Sequence, residues 1–211
     1  MDAEFFRAWI TEIAEVVEAQ RDHLTQLDAA IGDADHGINL ARGFSAVRAA
    51  LTDADTPTPG SVLMLTGSTL ISKVGGASGP LYGTAFRRAA KALGDKPEVD
   101  LAALADALEA ALAGVKQLGA ASEGEKTMVD ALAPAVAAFS RAAASGAAAA
   151  DALDGLTSAA DAGAHDTISM QALKGRASYL GPRSVGHEDP GAASTALILH
   201  ALRDVAARQA T

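Results

Sequence analysis

The chain has 211 residues, 49% of them hydrophobic and about a quarter of them alanine, which is the composition of a helical domain large enough to bury a core. It has no cysteine, which excludes disulfides, thiolate metal ligands and cysteine nucleophiles. The net charge of -9 argues against a nucleic-acid partner, and no apolar run approaches the roughly 18 residues of a membrane span. Because the N-terminus is acidic, unlike that of a signal peptide, we expect a cytoplasmic protein.

Apolar residues recur at helical spacing along almost the whole chain, and each candidate strand lies inside a longer helical pattern. Turn residues divide this pattern into about eight helices. Helices joined by short connections pack antiparallel, so the sequence predicts an all-α, up-and-down fold. In chain order the predicted helices cover approximately residues 4–26, 38–51, 61–73, 80–93, 100–119, 128–144, 147–173 and 189–208.

The first connection carries an acidic cluster. Asp28, Asp33 and Asp35 lie within eight residues and are flanked by glycines, so their side chains can converge in a loop. Converging carboxylates repel one another unless a divalent cation binds between them, and oxygen ligands suit Mg²⁺ or Ca²⁺. The spacing does not match an EF-hand loop, because position twelve is Phe44. A solvated helix end with capping aspartates is the alternative interpretation.

Two further segments are glycine-bearing and run directly into predicted helices. Residues 75–84 form a glycine-rich turn before a helix, which is typical of an anion site although it lacks the Walker A lysine. Residues 175–187 form a long polar loop before the helix that opens at Asp189 and Pro190, and in this loop Arg176 has the forked charge that suits phosphate. Taken singly, these features are equally explained as helix caps, a surface arginine, and an N-cap at Asp189.

The three segments become more informative together. In an up-and-down bundle alternate connections meet at the same end, so they can build one metal and nucleotide site without a Rossmann sheet or P-loop. Phosphoryl transfer needs chiefly positioning and charge neutralisation, which carboxylate-held Mg²⁺ and backbone donors supply.

At these residues the chain resembles the nucleotide-binding subunit family of dihydroxyacetone kinases. The similarity extends from Leu27 through the final helix and implies that residues 1–211 form a single domain, a closed barrel of eight antiparallel helices with the nucleotide at one end. The motifs that carry the resemblance are Ile-Gly-Asp-x-Asp-His-Gly, Gly-Gly-Ala-Ser-Gly-Pro-Leu-Tyr-Gly, Gly-Arg-Ala-Ser-Tyr-Leu-Gly and Asp-Pro-Gly-Ala.

The resemblance also implies roles for individual residues. Asp28, Asp33 and Asp35 would hold two Mg²⁺ ions that bridge the phosphates of ADP or ATP, and Gly119 and Met128 would border the adenine. No residue is assigned a covalent or acid–base role. The nucleotide-binding residues implied by the motifs are His36, Gly37, Ile38, Asn39, Ala77, Ser78, Gly119, Met128, Arg176, Asp189, Pro190 and Gly191.

Two positions depart from the family pattern. Ala34 stands where many members have glycine, and Ile38 stands where threonine is common. We expect both to be tolerated, because the loop keeps its other glycines and a backbone donor does not depend on the side chain.

The family implies two partners. A separate subunit would hold dihydroxyacetone, and a phosphohistidine carrier would rephosphorylate the bound ADP in place. The alternatives are a nucleotide-binding subunit of an ATP-exchanging triose or tetrose kinase, and a regulatory module that docks on a transcription factor. The sequence leaves the phosphoryl source, the sugar and the oligomeric state open.

Overall fold

A computed structural model describes residues 1–210, and the regular structure within that range is entirely helical. None of the helices in this range is both long and apolar enough to cross a bilayer. Two 3-10 segments, Thr167–Ser169 and Arg176–Ser184, lie between the last two α-helices. The α-helices are α1 (Ala3–Ala19), α2 (Arg21–Ile31), α3 (His36–Asp53), α4 (Pro59–Lys73), α5 (Ser78–Leu93), α6 (Leu101–Gly119), α7 (Met128–Ala144), α8 (Ala149–Asp166) and α9 (Pro190–Gln209).

Eight of these helices pack side by side in a closed ring, in the order α1, α3, α4, α5, α6, α7, α8, α9 and back to α1. Short connections join most neighbours, so successive helices run in opposite directions around the ring. The remaining helix, α2, packs on α3, on α9 and on the segment Arg176–Ser184. The predicted closed, up-and-down barrel of eight helices is therefore confirmed.

The interior of the barrel is filled by aliphatic side chains and a small aromatic cluster. Trp9 of α1 and Phe44 of α3 both contact Phe86 of α5, with ring centroids 5.7 and 6.1 Å apart. The Trp9 indole N–H donates to the carbonyl of Ile198 in α9 at 3.0 Å, which satisfies its buried polar atom. These contacts connect four helices of the ring through one core.

Two predicted helix boundaries are wrong. The first predicted helix is two helices, because the backbone leaves the helical region at Gln20 and α2 turns away from α1. The seventh ends at Asp166 rather than near Leu173, since the Thr167 carbonyl accepts from the Lys126 ammonium instead of continuing an α-helical ladder. Apolar periodicity runs across both breaks, so it could not reveal them.

The antiparallel order divides the connections between two ends of the barrel. We call residues 32–35, 74–77, 120–127 and 167–189 the acidic end, and residues 54–58, 94–100 and 145–148 the opposite end. The acidic end holds the two longest connections, 120–127 and 167–189. At the opposite end two helices begin at side-chain caps, since Thr58 accepts from the backbone of Ser61 and Asp100 from that of Ala103.

Candidate functional site

Three carboxylates converge at the acidic end. Oxygen atoms of Asp28, Asp33 and Asp35 all lie within 4.8 Å of one another. Asp28 is buried in the last turn of α2, and its Oδ2 accepts from the backbone N–H groups of Asp35 at 2.8 Å and His36 at 3.1 Å. The loop therefore folds back over Asp28 and brings the other two carboxylates, which are open to solvent, beside it.

The backbone of this loop is specialised. A side chain at Gly32 would place its Cβ 2.0 Å from Asp28 Oδ1, so only glycine leaves that oxygen free. Ala34 has a φ of +62°, in the left-handed region that costs an L-residue about 1 kcal/mol. The expectation that alanine is tolerated at this position therefore holds only at the expense of backbone strain.

The carboxylates line one side of a cavity of about 630 Å³ enclosed by the connections of the acidic end. Its lining combines large apolar side chains with charged and polar ones, which suits a ligand with one apolar and one charged part. The large apolar residues that line it are Ile31, Leu81, Val115, Met128, Val129, Leu173 and Tyr179.

The N-terminus of α5 opens into the same cavity. Ala77 precedes the helix and makes no side-chain capping bond, so the first backbone N–H groups of α5 have no intrahelical acceptor. Gly76, with a φ of +68°, turns the chain into this helix. The helix dipole and these free donors favour an anion here.

A buried hydrogen-bond network supports this side of the cavity. His36 lies between two hydroxyls, with its Nδ1 3.1 Å from Ser78 Oγ and its Nε2 2.9 Å from Ser194 Oγ. The Tyr82 hydroxyl lies 2.7–3.0 Å from three oxygens in the first two turns of α9. The network holds the N-termini of α3, α5 and α9 together around the site.

Burial determines the protonation of this network. Burial lowers the pKa of His36, although Asp28 and Asp35 oppose that shift, so the imidazole is neutral at pH 7. Burial also raises the pKa of Tyr82 to about 12, so its hydroxyl keeps its proton. Both side chains act here as neutral hydrogen-bonding groups.

Asp189 forms the N-cap of α9, as its position before a proline predicts. Its Oδ2 accepts from the backbone N–H of Ala192 at 2.8 Å. Burial raises its pKa to about 7, while the Ala192 N–H and the nearby Lys126 ammonium oppose the shift. The carboxyl is thus positioned to cap a helix and also to respond to pH.

Arg176 is largely exposed, at 71% of its side-chain area, and its Nε lies 3.0 Å from Asp33 Oδ2. Arg176 is the first residue of the segment Arg176–Ser184. Its guanidinium therefore reaches from that segment to the acidic cluster.

Twelve of the fifteen predicted site residues line the cavity; Gly37, Ile38 and Asn39 do not. A Cβ at Gly37 would lie 2.1 Å from the Arg21 carbonyl, so this glycine faces α2. The Asn39 side chain accepts from Arg42 at 2.8 Å, and Ile38 is half exposed. Their nucleotide-binding role stays a prediction.

The sequence interpretation missed several lining residues. The principal ones are Tyr82 and Lys126, both buried, and the exposed Tyr179. Tyr82 lies in the motif Gly-Gly-Ala-Ser-Gly-Pro-Leu-Tyr-Gly, but a tyrosine at this position is typical of a helical core residue. Lys126 lies in a polar stretch of the sequence. No local signal shows that Lys126 is buried, because its acceptors are in segments 41 and 61 residues away.

Residues 30–204 match the DAK2 domain. The chain is 43% identical to the ADP-binding subunit of a PEP-dependent dihydroxyacetone kinase from Listeria innocua, over 95% of this chain and 96% of that protein. It is also 43% identical to the corresponding subunit from Escherichia coli, over 92% of each.

Among solved structures, the dihydroxyacetone kinase of C. freundii in complex with AMP-PNP and Mg²⁺ superimposes with a TM-score of 0.74 at 28% identity. The match covers 97% of this chain and 34% of that one, so the chain spans about a third of the crystallised kinase. The family match and the near full-length relatives agree with the sequence motifs. This chain therefore belongs to the DAK2 domain family.

Proposed function

We propose that this chain is the nucleotide-binding, phosphoryl-transferring subunit of a dihydroxyacetone kinase. The observation that carries the proposal is the convergence of Asp28, Asp33 and Asp35 within 4.8 Å on the wall of a cavity of about 630 Å³. Two relatives at 43% identity are described as ADP-binding subunits of such kinases. Residues 1–211 would form one domain, acting in the cytoplasm.

The donor set of the acidic cluster fits Mg²⁺. All the candidate ligands are carboxylate oxygens, which hard divalent cations prefer, and no nitrogen or sulfur ligand competes in the cluster. Asp28, Asp33 and Asp35 would together hold two ions. When bound, Mg²⁺ neutralises charge on the phosphates of the nucleotide.

The chain's own groups divide the remaining work of binding. The free N–H groups at Ser78 and Gly79 would donate hydrogen bonds to the phosphates at the start of α5, as helix N-termini commonly do. Arg176 would add a charged fork from the facing segment. Gly119 and Met128, with the apolar wall around them, would exclude water from the adenine side.

The γ-phosphoryl group would pass to a hydroxyl of dihydroxyacetone held by a partner subunit. The bond from phosphorus to the β-phosphate oxygen breaks, a bond to the triose oxygen forms as that hydroxyl releases its proton to solvent, and ADP stays on this chain. Neutral His36 has both ring nitrogens beside hydroxyls, which fits a positioning role rather than a covalent one. A phosphohistidine carrier would then regenerate ATP in place.

Exposed apolar residues support docking of a partner at the acidic end. Within residues 1–210, every large apolar side chain that is exposed lies in the loops or adjoining helical turns of that end. Such exposure is typical of surfaces that bind proteins. These residues are Ile38, Ile71, Leu118, Leu173, Tyr179 and Val185.

An ATP-exchanging kinase subunit is the second candidate. It is favoured by the similarity to the C. freundii kinase, whose solved complex contains AMP-PNP and Mg²⁺ and in which the matched region is about a third of the chain. Both candidates use the same cavity and differ only in whether the nucleotide leaves between turnovers.

Native mass spectrometry of the purified chain tests the proposal and separates the two candidates. Co-purified ADP with two Mg²⁺ that resists exchange against added ATP supports a resident nucleotide. A protein that arrives empty and takes up ATP and Mg²⁺ freely supports the exchanging subunit. A chain that binds neither nucleotide in the presence of Mg²⁺ contradicts both.

A further inference from the structure

The loop between α6 and α7 contains a buried lysine. Lys126 is 1% exposed although its neighbours Glu123 and Gly124 are exposed, and its φ of +60° is left-handed. Its ammonium donates hydrogen bonds to the backbone carbonyls of Thr167 and His187. Within the described residues no carboxylate lies within ion-pair distance of it, so its direct partners are neutral oxygens.

These two carbonyls belong to different segments, which also bind each other. The backbone N–H of Asp189 donates to Thr167 Oγ1 at 3.0 Å, and that of Gly186 donates to the Ile168 carbonyl at 2.7 Å. The backbone N–H of Leu173 in turn donates to the Glu125 carbonyl at 3.1 Å. The ammonium therefore lies where the connection between α6 and α7 meets two segments of the connection between α8 and α9.

Each of these three segments continues directly into the wall of the cavity. Lys126 is followed by Thr127 and Met128, the turn at Thr167 leads to residues 173–179, and the segment at His187 leads to residues 189–191. Displacing the ammonium would release the adenine side and the Arg176 segment together.

This arrangement lowers the stability of the folded state. Burying an ammonium against neutral carbonyls carries a desolvation cost, and the left-handed backbone adds strain. Burial lowers the pKa of Lys126, while the carboxylates of Asp189, Asp130 and Glu188 oppose that shift and favour the charged form. An apolar side chain could fill the same space, but it could not donate to the two carbonyls that the ammonium joins.

We propose that Lys126 is a positioning residue for nucleotide retention: its ammonium fastens the segments 167–173 and 184–189 to the loop before α7 and so limits the rate at which nucleotide leaves. This inference rests on the proposed function, because it assumes that the cavity holds the nucleotide. Lys126 acts through the cavity wall and is not a catalytic residue.

Dissociation of a fluorescent methylanthraniloyl-ADP from the full chain with Mg²⁺, chased by excess ADP, tests the proposal. Lys126→Met keeps the length of the side chain and removes the charge, and we expect its dissociation rate to rise at least tenfold while the association rate changes less than threefold. Lys126→Arg restores a charged donor and should return the dissociation rate to within threefold of the wild type.

Lys116→Met is the matched control, because this lysine holds the same loop from the surface through an ion pair with Glu123 at 2.9 Å. Its dissociation rate should stay within twofold of the wild type. An unchanged dissociation rate in Lys126→Met, even with a lower melting temperature, overturns the proposal, as does equal acceleration in Lys116→Met. A wild-type chain that does not bind the probe refutes the proposed function instead.

If Lys126→Met does not fold, hydrogen exchange of the wild-type chain replaces it. The amides of Leu173, Gly186 and Asp189 are expected to open as one unit, at a rate matching release of the nucleotide. Independent opening of these three amides overturns the proposal.

Discussion

Both ends of the barrel reverse the chain between antiparallel helices, but the backbone conformations in their connections differ. At the opposite end the connections are short, and the left-handed positions are glycines, Gly94 and Gly146. At the acidic end three residues with side chains, Ala34, Ala120 and Lys126, adopt left-handed backbone conformations. Within residues 1–210, strain of this kind is confined to the end that carries the cavity.

The ends also differ in what they bury and expose. The acidic end buries charged or polar groups such as Asp28, Lys126 and Asp189, and it exposes large apolar ones. That is the reverse of what stability favours, and it is typical of sites where function is maintained at a cost to folding. Among the described residues, the opposite end buries no charged side chain and exposes no large apolar one, although the Thr56 hydroxyl is buried there without a hydrogen-bond partner. It can therefore serve as the control in experiments on charge.

The test with the largest expected effect neutralises two aspartates at one end of the barrel and, in a separate variant, two aspartates at the other end. Asp33→Asn with Asp35→Asn should weaken Mg²⁺-dependent binding of ADP at least a thousandfold, about 4 kcal/mol, because two of three ligands lose their charge. The melting temperature without Mg²⁺ should not fall, since carboxylate repulsion is relieved. Isothermal titration calorimetry measures the binding.

Asp53→Asn with Asp55→Asn is its control at the opposite end, with equal spacing and charge change. It should bind ADP and Mg²⁺ as the wild type does. Equal weakening in both double variants would show that net charge, rather than the acidic cluster, controls binding.

A second test uses pH. Because the pKa of Asp189 is about 7 in the folded state and near 3.8 when unfolded, the folded chain binds more protons between these values, and stability falls as pH rises through that window. Asp189→Asn keeps an oxygen that can cap the helix but does not titrate. Between pH 5 and 8 the free energy of unfolding should therefore fall by roughly 2–3 kcal/mol less in this variant than in the wild type. Urea unfolding of the nucleotide-free protein at both pH values measures it. Parallel pH profiles of the two proteins would contradict the assignment.

A third test compares two tyrosines of the acidic end. Tyr82→Phe removes the hydroxyl from a buried network of three oxygens and should lower the free energy of unfolding by about 1–3 kcal/mol. Tyr179→Phe removes a hydroxyl from a side chain that is 88% exposed and should leave stability unchanged. Urea denaturation distinguishes them, and equal effects would mean that the network contributes nothing.

The smallest expected effect exchanges glycine and alanine at the two ends. Ala34→Gly should raise the melting temperature of the nucleotide-free chain by relieving about 1 kcal/mol of left-handed strain. Gly94→Ala should lower it by at least as much, since the φ of +61° combines there with a ψ of −141°, a conformation that essentially only glycine adopts, although a Cβ would meet no atom within 4 Å. A shift of the same sign in both variants would contradict a difference in strain between the ends.

The sequence was most informative where structure is local. Helical periodicity and turn residues predicted about eight antiparallel helices, and carboxylate spacing with glycine-rich turns predicted which connections carry the site. The helix boundaries at Gln20 and Asp166 were wrong, because the apolar pattern continues through them while the backbone does not. The closed barrel itself came from the family resemblance rather than from spacing.

What the sequence determined by itself was the set of helices, their alternation and the acidic cluster, since each depends on residues within one or two turns of each other. Only the tertiary structure decided that Lys126 is buried, that Tyr82 and His36 connect three helix N-termini, and that Gly37 faces α2 instead of the cavity. These outcomes depend on contacts between distant segments, and the free energy of such contacts leaves no pattern in the local sequence.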